Sequence, residues 1–429
     1  MESFWEHLQR MNSLDGNATD YPVMLVIYLG VFILCLLSNL LLFFSDFGQR
    51  VVWLPDQRKV IKSKFSYMSM LACTFTGVYL VGSYPLELQN TYGTWNADFF
   101  YTLGQTAIMI TAGIYSLATY KKRSSVILNS LSIIVGLSTS IPMAALTILT
   151  PLDINVDLIR MTSIIIVILV FVGLAALSVK YDLLVKYSRI NIYLFIITTI
   201  ALYTTIAGIQ DGSVDQSKIL PFQGMINSEP WWELLVNPYW WYFEATVVSW
   251  SVFCGRFIAY CSNGYSVKNI IVYGTVSLII LTVIWHLVSA ATGYTLSFSR
   301  GWVIYVLTAL TMLGFAVTSL DSASKTLLVD TSRIMNYKNI NIPSNIVLLG
   351  IMGGIGIVNI VILYTGSSKL FTIFFSLIFV PYLVMASIYS IRFAFGKIDF
   401  SKSGTITKKE YIEISGEEPD EEDYRRIIS

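Results

Sequence analysis

The chain has 429 residues, of which 55% are hydrophobic and 13% are charged, and its mean hydropathy is +0.65. A soluble protein of this composition would lack the polar surface needed to cover its core, so the soluble globular class is excluded. The net charge is only +1 and the basic residues are confined mainly to short loops, which excludes nucleic acid as a partner. The composition predicts an all-α polytopic protein of the lipid bilayer.

Eleven segments are long and apolar enough to cross the bilayer as helices of roughly 20 residues each. The residues before the first segment are polar and do not resemble a cleavable signal peptide, so the first span is expected to insert the chain itself. The predicted spans are 22–45, 66–84, 99–119, 126–149, 161–179, 190–210, 239–262, 270–292, 303–324, 345–365 and 370–391.

The loops between these spans alternate in charge. Of the 28 lysines and arginines, 22 fall on one side of the predicted membrane and 5 on the other, with Arg256 inside a span. The positive-inside rule then places the N-terminus outside the cell and the C-terminus in the cytoplasm. One span more or fewer would destroy this alternation, which supports the number eleven.

The seventh span is unusually polar for a segment at membrane depth. Polar groups there usually face a cavity or a partner, so the stretch 249–259 is the first place to look for a solute pathway. Arg256, His286 and Asp321 are expected to serve packing, gating or capping, not ligand binding. The cysteines lack metal-site spacing and are predicted to be small packing residues. These are Cys35, Cys73, Cys254 and Cys261.

Several stretches in the region 40–395 resemble the betaine/choline/carnitine transporter family. They occur in the family's order and spacing, although Val252 stands where the family usually has proline. The stretches are Phe44–Gly48 with Phe65–Met70, Ser249–Ala259, Trp285 with Ala291–Leu296, and the signature Phe315–Ser322.

This resemblance implies a leucine-transporter-type core of two five-helix inverted repeats, spans two to six and seven to eleven, with solute bound near the midplane. Members of the family normally have one more helix at the start, which this chain would lack. The family often forms trimers, which implies a homotrimer. The predicted organisation is an extracellular segment 1–20, an extra helix and basic cytoplasmic linker 21–65, a ten-helix core 66–395 and an acidic cytoplasmic tail 396–429.

The resemblance also implies a sodium site between the second and ninth spans, and no other cofactor. Thr318 and Ser319 would offer hydroxyls and Phe315 its carbonyl, while Leu71 and Thr74 would offer carbonyls from the second span. Hydroxyls in a helix also bond back to a preceding carbonyl, so a purely structural role stays open. The second span keeps a single glycine where the family has a glycine-rich stretch that lets the helix unwind, which would change the site.

The solute site departs from the family pattern. Members that take quaternary ammonium compounds enclose the cation in an aromatic box. Trp250 matches one family tryptophan, but Thr246 and Val247 stand where the paired tryptophans are expected, and box positions in the third span fall on Thr102 and Ala107. The box is therefore expected to be largely absent.

Glu244 is the residue expected to replace the box, in a segment that also holds Tyr242. Gln105 and Thr106 are its expected neighbours from the third span. A carboxylate inside the membrane can pair with an ammonium group that carries N–H bonds, or bind a proton or sodium. Pairing with a buried arginine, or a position in the outer interface, is the alternative.

The tail contains a twelve-residue stretch, 399–410, with the spacing of a calcium-binding EF-hand loop. Two lysines and only two carboxylates occur in it, so a polar turn that leads into a short helix is the competing interpretation. Beyond it lies a solvated acidic run.

These observations predict a secondary active transporter for uptake of a small osmolyte-like solute, either betaine-like or an amine, by sodium or proton symport. The alternative is a transporter-like receptor or regulator that binds solute without moving it, which the lost glycines and the missing first helix favour. The sequence holds no nucleophile–base pair, metal-ligand cluster or phosphate-binding loop, so the chain is not expected to be an enzyme.

Overall fold

Backbone N–H and C=O groups that face lipid must be paired within the chain, and the apolar runs of this protein meet that demand as helices. A computed structural model describes residues 22–54, 61, 63–76, 94–119, 122–149, 157–177, 181–206, 235, 238–292, 302–335, 350, 353–354, 357, 368–398 and 405–415. Side chains are described for most of these residues, and the statements below concern this part of the chain.

The described elements are almost entirely α-helical. A single 3-10 turn, Asp46–Gln49, and two short strands, β1 (Val51–Val52) and β2 (Thr405–Ile406), complete them. The helices are α1 (Pro22–Phe44), α2 (Lys64–Thr76), α3 (Thr94–Thr119), α4 (Arg123–Leu149), α5 (Asp157–Leu177), α6 (Tyr181–Ile206), α7 (Pro238–Cys261), α8 (Val267–Thr292), α9 (Trp302–Met335), α10 (Ser368–Ser376), α11 (Val380–Ala394) and α12 (Lys408–Ser415).

Ten of the eleven predicted spans coincide with these helices, which confirms a helical protein with several apolar spans. Four stretches are long and apolar enough to cross a membrane by themselves: Val23–Phe44, Leu183–Leu202, Trp302–Leu327 and Thr372–Ala394. The predicted span 345–365 falls mostly outside the described residues, as do the segments 1–20 and 211–234. The four cysteines are buried, as predicted for packing residues.

The last predicted span, 370–391, is not one continuous helix. It is divided into α10 and α11 by a turn in which the amides of Ile378 and Phe379 bond to the carbonyls of Phe375 and Ser376. Pro381, in the first turn of α11, explains the interruption because it has no N–H to donate and its ring disfavours helix in the residues before it.

Helices α3 and α7 form the centre of the bundle and make the most extensive contact among the described helices. Glycine allows them to approach closely, since a Cβ on Gly255 would lie 2.5 Å from the backbone carbon of Ala112 and 2.7 Å from the amide nitrogen of Gly113. Neither helix is among the four strongly apolar ones. Their position inside the bundle is what allows them to carry polar side chains.

Helix α1, predicted as an extra helix outside the core, packs against α3 and α11. Its buried side is partly polar. Asn39 donates its side-chain amide to the carbonyl of Ala107 at 2.9 Å, and the hydroxyls of Ser38 and Thr111 lie 3.2 Å apart. At the other end of α1 the hydroxyl of Tyr28 lies 2.6 Å from that of Ser376. These contacts tie α1 to the bundle by specific hydrogen bonds.

The strands join the tail to the start of the chain at the end of the bundle where the basic loops lie, called the basic end below. β1 pairs antiparallel with β2, and on its other side the amide of Val52 donates to the carbonyl of Tyr265 in the α7–α8 loop at 2.9 Å. The guanidinium of Arg50 donates to both the hydroxyl and the carbonyl of Thr405, each at 3.0 Å. The φ of 88° at Gly264 shapes the loop that receives β1.

The stretch 399–410, which has the spacing of a calcium-binding loop, ends in a helix cap. Residues 399–404 lie outside the described part of the chain. Thr407 and Glu410 form a capping box at the start of α12. The carboxylate of Glu410 accepts bonds from the amide and hydroxyl of Thr407 at 2.7 and 2.8 Å, and the amide of Glu410 returns a bond to that hydroxyl at 3.2 Å. The final carboxylate of the stretch is thus used as a helix cap.

The capping box predicts a pH-dependent tail helix. The bond from the backbone amide of Thr407 lowers the pKa of Glu410, so the cap is complete above the ordinary carboxyl range and is lost as pH falls through the lowered pKa. We expect Thr407→Ala to speed hydrogen exchange of the α12 amides at neutral pH, measured by mass spectrometry. Lys409→Gln, at an exposed position 3.9 Å from Glu413, is the control and should leave exchange unchanged.

Candidate solute and cation sites

Glu244 lies one and a half turns into α7 and is 1% exposed. Its carboxylate rests against the backbone of α3, where a Cβ on Gly104 would collide with Oε1. Neither carboxylate oxygen has a hydrogen-bond partner among the described residues. A buried carboxylate in this condition is costly to maintain, which makes it the strongest candidate for a ligand-binding group in this part of the chain.

Gln105 links α3 to the described end of α2 by a hydrogen bond. It follows Gly104 in α3, is 1% exposed, and donates its side-chain N–H to the carbonyl of Phe75. Its Oε1 has no described partner, and neither does the hydroxyl of Thr102 three residues earlier. Gln105 thus follows the glycine against which Glu244 rests and presents a second buried acceptor, while its predicted role beside Glu244 stays a prediction.

Thr106 is the other neighbour predicted for Glu244, and its hydroxyl is already used. It donates to the carbonyls of Thr102 and Leu103 at 2.8 and 3.1 Å, within its own helix. Among the side chains beside Gly104, Gln105 is thus the better candidate.

Aromatic side chains stand one turn from Glu244. Trp240 precedes it by four residues, which places both on one face of α7, and the Trp240 ring is fully buried. It packs edge-on against Phe32 of α1 with 5.6 Å between ring centroids, and its indole nitrogen has no described partner. Helices α1, α3 and α7 therefore pack together in this part of the bundle.

The other residues predicted for solute binding do not all lie at the position of Glu244. Thr246 and Val247 are buried in α7, close to Glu244 in sequence. Trp250 donates its indole N–H to the carbonyl of Gly136 in α4 at 3.0 Å, where its ring occupies the space that a Cβ would need. Trp250 and Glu244 thus contact different helices. The side chain of Tyr242 lies outside the described part of the chain.

The polar serines of the seventh span bond within the protein. Ser249 and Ser251 donate to carbonyls three residues earlier, each at 2.7 Å. The carbonyl of Ser249 in turn accepts the hydroxyl of Ser132 in α4 at 2.5 Å. Helix α7 runs unbroken through this stretch. The polarity that draws attention to it in the sequence serves helix packing, and Glu244, one turn earlier, carries the uncommitted groups.

The residues predicted for a sodium site lie at the contact between α2 and α9. Thr318 of α9 lies beside Cys73 of α2 and donates its hydroxyl to the carbonyls of Gly314 and Phe315, each at 3.0 Å. Ser319 is 5% exposed, and its hydroxyl has no hydrogen-bond partner among the described residues. Of the two predicted hydroxyl ligands, Ser319 is therefore the uncommitted one.

The predicted ligands from α2 are Leu71 and Thr74. Leu71 is fully buried, and the carbonyl of Thr74 accepts the thiol of Cys254 in α7 at 3.6 Å. The hydroxyl of Thr74 bonds back to Met70 at 2.7 Å. Of these bonds, the weak thiol bond to Thr74 is the easiest to exchange for a cation.

A buried ion pair lies further along α7, toward the basic end. Arg256 donates to both oxygens of Asp330 in α9, with 2.7 Å for the Nε bond, and to the hydroxyl of Ser125 in α4 at 2.8 Å. Asn129 and Tyr260 also donate to Asp330. The expectation that Arg256 is a packing or gating residue agrees with this network, and the buried arginine pairs with Asp330, not with Glu244.

Asp330 was missed by sequence analysis because it follows the apolar run 303–324. The helix continues to Met335, which keeps Asp330 inside the bundle at 0% exposure. The pattern that points to it is an acidic residue shortly after a predicted span, where no helix-terminating residue lies between them. Asp321, predicted to cap or pair, binds Lys325 at 3.0 Å along the same helix.

Taken with the apolar helices, this arrangement defines a multi-pass membrane protein that buries a few ionisable groups, among them Glu244, Arg256 and Asp330, inside the described bundle. The same fold occurs in a solved structure of a Na⁺-coupled sialic acid symporter, captured in a substrate-bound outward-open state. The TM-score is 0.51, the identity is 11%, and the match covers 86% of this chain and 86% of that one. The likeness at this identity concerns the fold alone. No family model matches the sequence, and no curated protein does.

Proposed function

We propose that this protein is a secondary active transporter that moves a small organic solute, betaine-like or an amine, by alternating access with a coupled cation. The observation that carries the proposal is the shared fold with a Na⁺-coupled symporter over 86% of both chains. Within that fold, α9 carries the uncommitted hydroxyl of Ser319, and α3 and α7 enclose a carboxylate without a described hydrogen-bond partner. A fold of this kind also argues against an enzyme.

The finer assignments belong to the same proposal. The chain is a divergent relative of the betaine/choline/carnitine transporters, with the leucine-transporter-type arrangement of two inverted five-helix repeats. Its N-terminus is outside and its C-terminus is cytoplasmic, because the basic loops lie at one end. The resemblance further proposes a homotrimer.

Transport by purified protein in proteoliposomes tests the proposal. An imposed inward sodium gradient should drive accumulation of a radiolabelled solute, and collapse of that gradient should abolish it. The unbroken helix α7 favours the second candidate, a receptor that binds solute without moving it. Saturable binding with no accumulation under either a sodium or a proton gradient would establish the receptor and reject the transporter.

Ser319 supplies the sharpest prediction for the coupling ion. Because its hydroxyl is buried and uncommitted, Ser319→Ala should raise the sodium concentration for half-maximal uptake or thermal stabilisation by about tenfold, equivalent to about 1.4 kcal/mol. Ser324→Ala is the matched control, since its hydroxyl is bonded to the carbonyl of Asp321 at 2.9 Å in the same helix. Equal sodium dependence in both variants would remove Ser319 from the site.

A further inference from the structure

Glu244 and Gln105 are buried side chains whose acceptor atoms are uncommitted within the described part of the chain. The two carboxylate oxygens and Oε1 of Gln105 are acceptors without described partners, and both side chains are 1% exposed. One side-chain N–H of Gln105 is committed to the carbonyl of Phe75. Arg256, a buried arginine of the described residues, is committed to Asp330. A ligand that carries hydrogen-bond donors would therefore suit these acceptors.

A negative charge at this position selects for a cation. A proton would neutralise the carboxylate but would supply a single O–H donor for the acceptor atoms of Glu244 and Gln105. An ammonium group with several N–H bonds can donate to two or three acceptors at once, and hydrogen bonds to charged groups are the strong ones. The acceptor atoms without described partners, two on Glu244 and one on Gln105, thus match in number the N–H donors of a primary alkylammonium ion.

The aromatic neighbours favour an organic cation over a hydrated metal ion. Trp240 lies one turn before Glu244 on the same helix face and packs edge-on against Phe32. Ring faces attract alkylammonium groups and also accommodate the carbon atoms attached to the nitrogen. The indole N–H of Trp240 has no described partner, so it is a donor for a hydroxyl oxygen carried by the ligand.

We infer that the contact between α3 and α7 at Glu244 binds the ammonium group of a primary or secondary amine, with Glu244 accepting its N–H bonds and Gln105 offering a further acceptor. The inference rests on the proposed function, whose solute class it narrows. It excludes a quaternary ammonium as the preferred ligand, because such a group has no hydrogen to donate and would leave the acceptors unpaired.

Four compounds in which N–H bonds are replaced one by one with N-methyl groups test this inference: ethanolamine, N-methylethanolamine, N,N-dimethylethanolamine and choline. The thermal stability of the purified full-length protein is measured against a concentration series of each. We expect affinity to fall by about tenfold with each hydrogen removed, and choline to give no shift. Equal or tighter binding of choline, or no shift with any of the four, overturns the inference.

Glu244→Gln keeps the shape of the side chain and removes its charge, so ethanolamine should bind at least a hundredfold more weakly to it. Glu413→Gln, on the exposed face of the tail helix, is the control and should bind as the unmodified protein does. Ethanolamine binding that survives Glu244→Gln overturns the inference. Should Glu244→Gln not fold, the ranking of the four compounds on the unmodified protein decides the matter by itself.

The two proposals fail in different ways. Ranked amine binding without gradient-driven uptake would leave the amine site standing and remove the transport function. Sodium-driven uptake of betaine with no binding of ethanolamine would keep the transporter and remove the amine site.

Discussion

Replacement of Asp330 with asparagine is expected to lower the free energy of unfolding by about 3–5 kcal/mol, because it leaves the buried guanidinium of Arg256 without its counter-charge. Both side chains are almost completely buried, at 1% and 0% exposure, so water cannot compensate for the loss. The network also joins α4, α7 and α9, which would lose their common anchor at the basic end. The measurement is the apparent melting temperature of protein in detergent, followed by size-exclusion chromatography.

A double variant separates charge from packing at this site. Arg256→Met with Asp330→Leu removes both charges, so it should recover part of the stability lost in either single variant. Lys325→Gln is the control for a carboxylate pair on the same helix, because the Lys325 side chain is 14% exposed and its pair with Asp321 lies within one helix. A melting temperature in Asp330→Asn as high as in this control would show that the buried pair contributes little.

Gly255→Ala is expected to be the next most damaging single change, at about 1–3 kcal/mol or more. The added methyl group would lie 2.5 Å from the backbone carbon and 2.7 Å from the Cβ of Ala112. A backbone cannot rotate away as a side chain can, so α3 and α7 would have to separate. Since Glu244 and Gly104 lie on the same two helices, we expect ligand binding at Glu244 to weaken together with stability.

Gly173→Ala is a matched control, because a Cβ on Gly173 would meet nothing within 4 Å. Alanine is the better helix former by about 1 kcal/mol, so this variant should be neutral or slightly more stable. Melting temperatures of the two variants, measured side by side, separate loss of close packing from a general effect of glycine replacement. Equal loss in both would contradict the contact between α3 and α7.

The helices were predictable because membrane spans are recognised by their length and hydropathy. The break in the last span was predictable in principle from Pro381, but an apolar run with one proline gives no sign of whether the helix bends or stops. Asp330 could not be predicted to lie inside the bundle, because hydropathy shows where lipid contact ends and not where the helix ends. Strands β1 and β2 have two residues each and no periodicity to detect.

The candidate sites were predictable in kind and less so in detail. Glu244 and Gln105 could be selected from the sequence because polar side chains inside predicted spans are uncommon. That Gly104 presses on the carboxylate, or that Trp250 turns toward Gly136 in α4, depends on how helices rotate against each other. Thr318 and Ser319 are adjacent in sequence, yet only the structure distinguishes the bonded hydroxyl from the unbonded one.

The pairing of β1 with β2 has a consequence for how the protein is made. Arg50 leaves the ribosome early, and its partner Thr405 follows 355 residues later, after the last described apolar helix. Until then β1 has only the α7–α8 loop to bind, and that loop also emerges long before the tail. Formation of the small sheet therefore marks a chain in which every described apolar helix has been synthesised. A probe of tail docking would report completed assembly inside the cell, separately from any measure of solute movement.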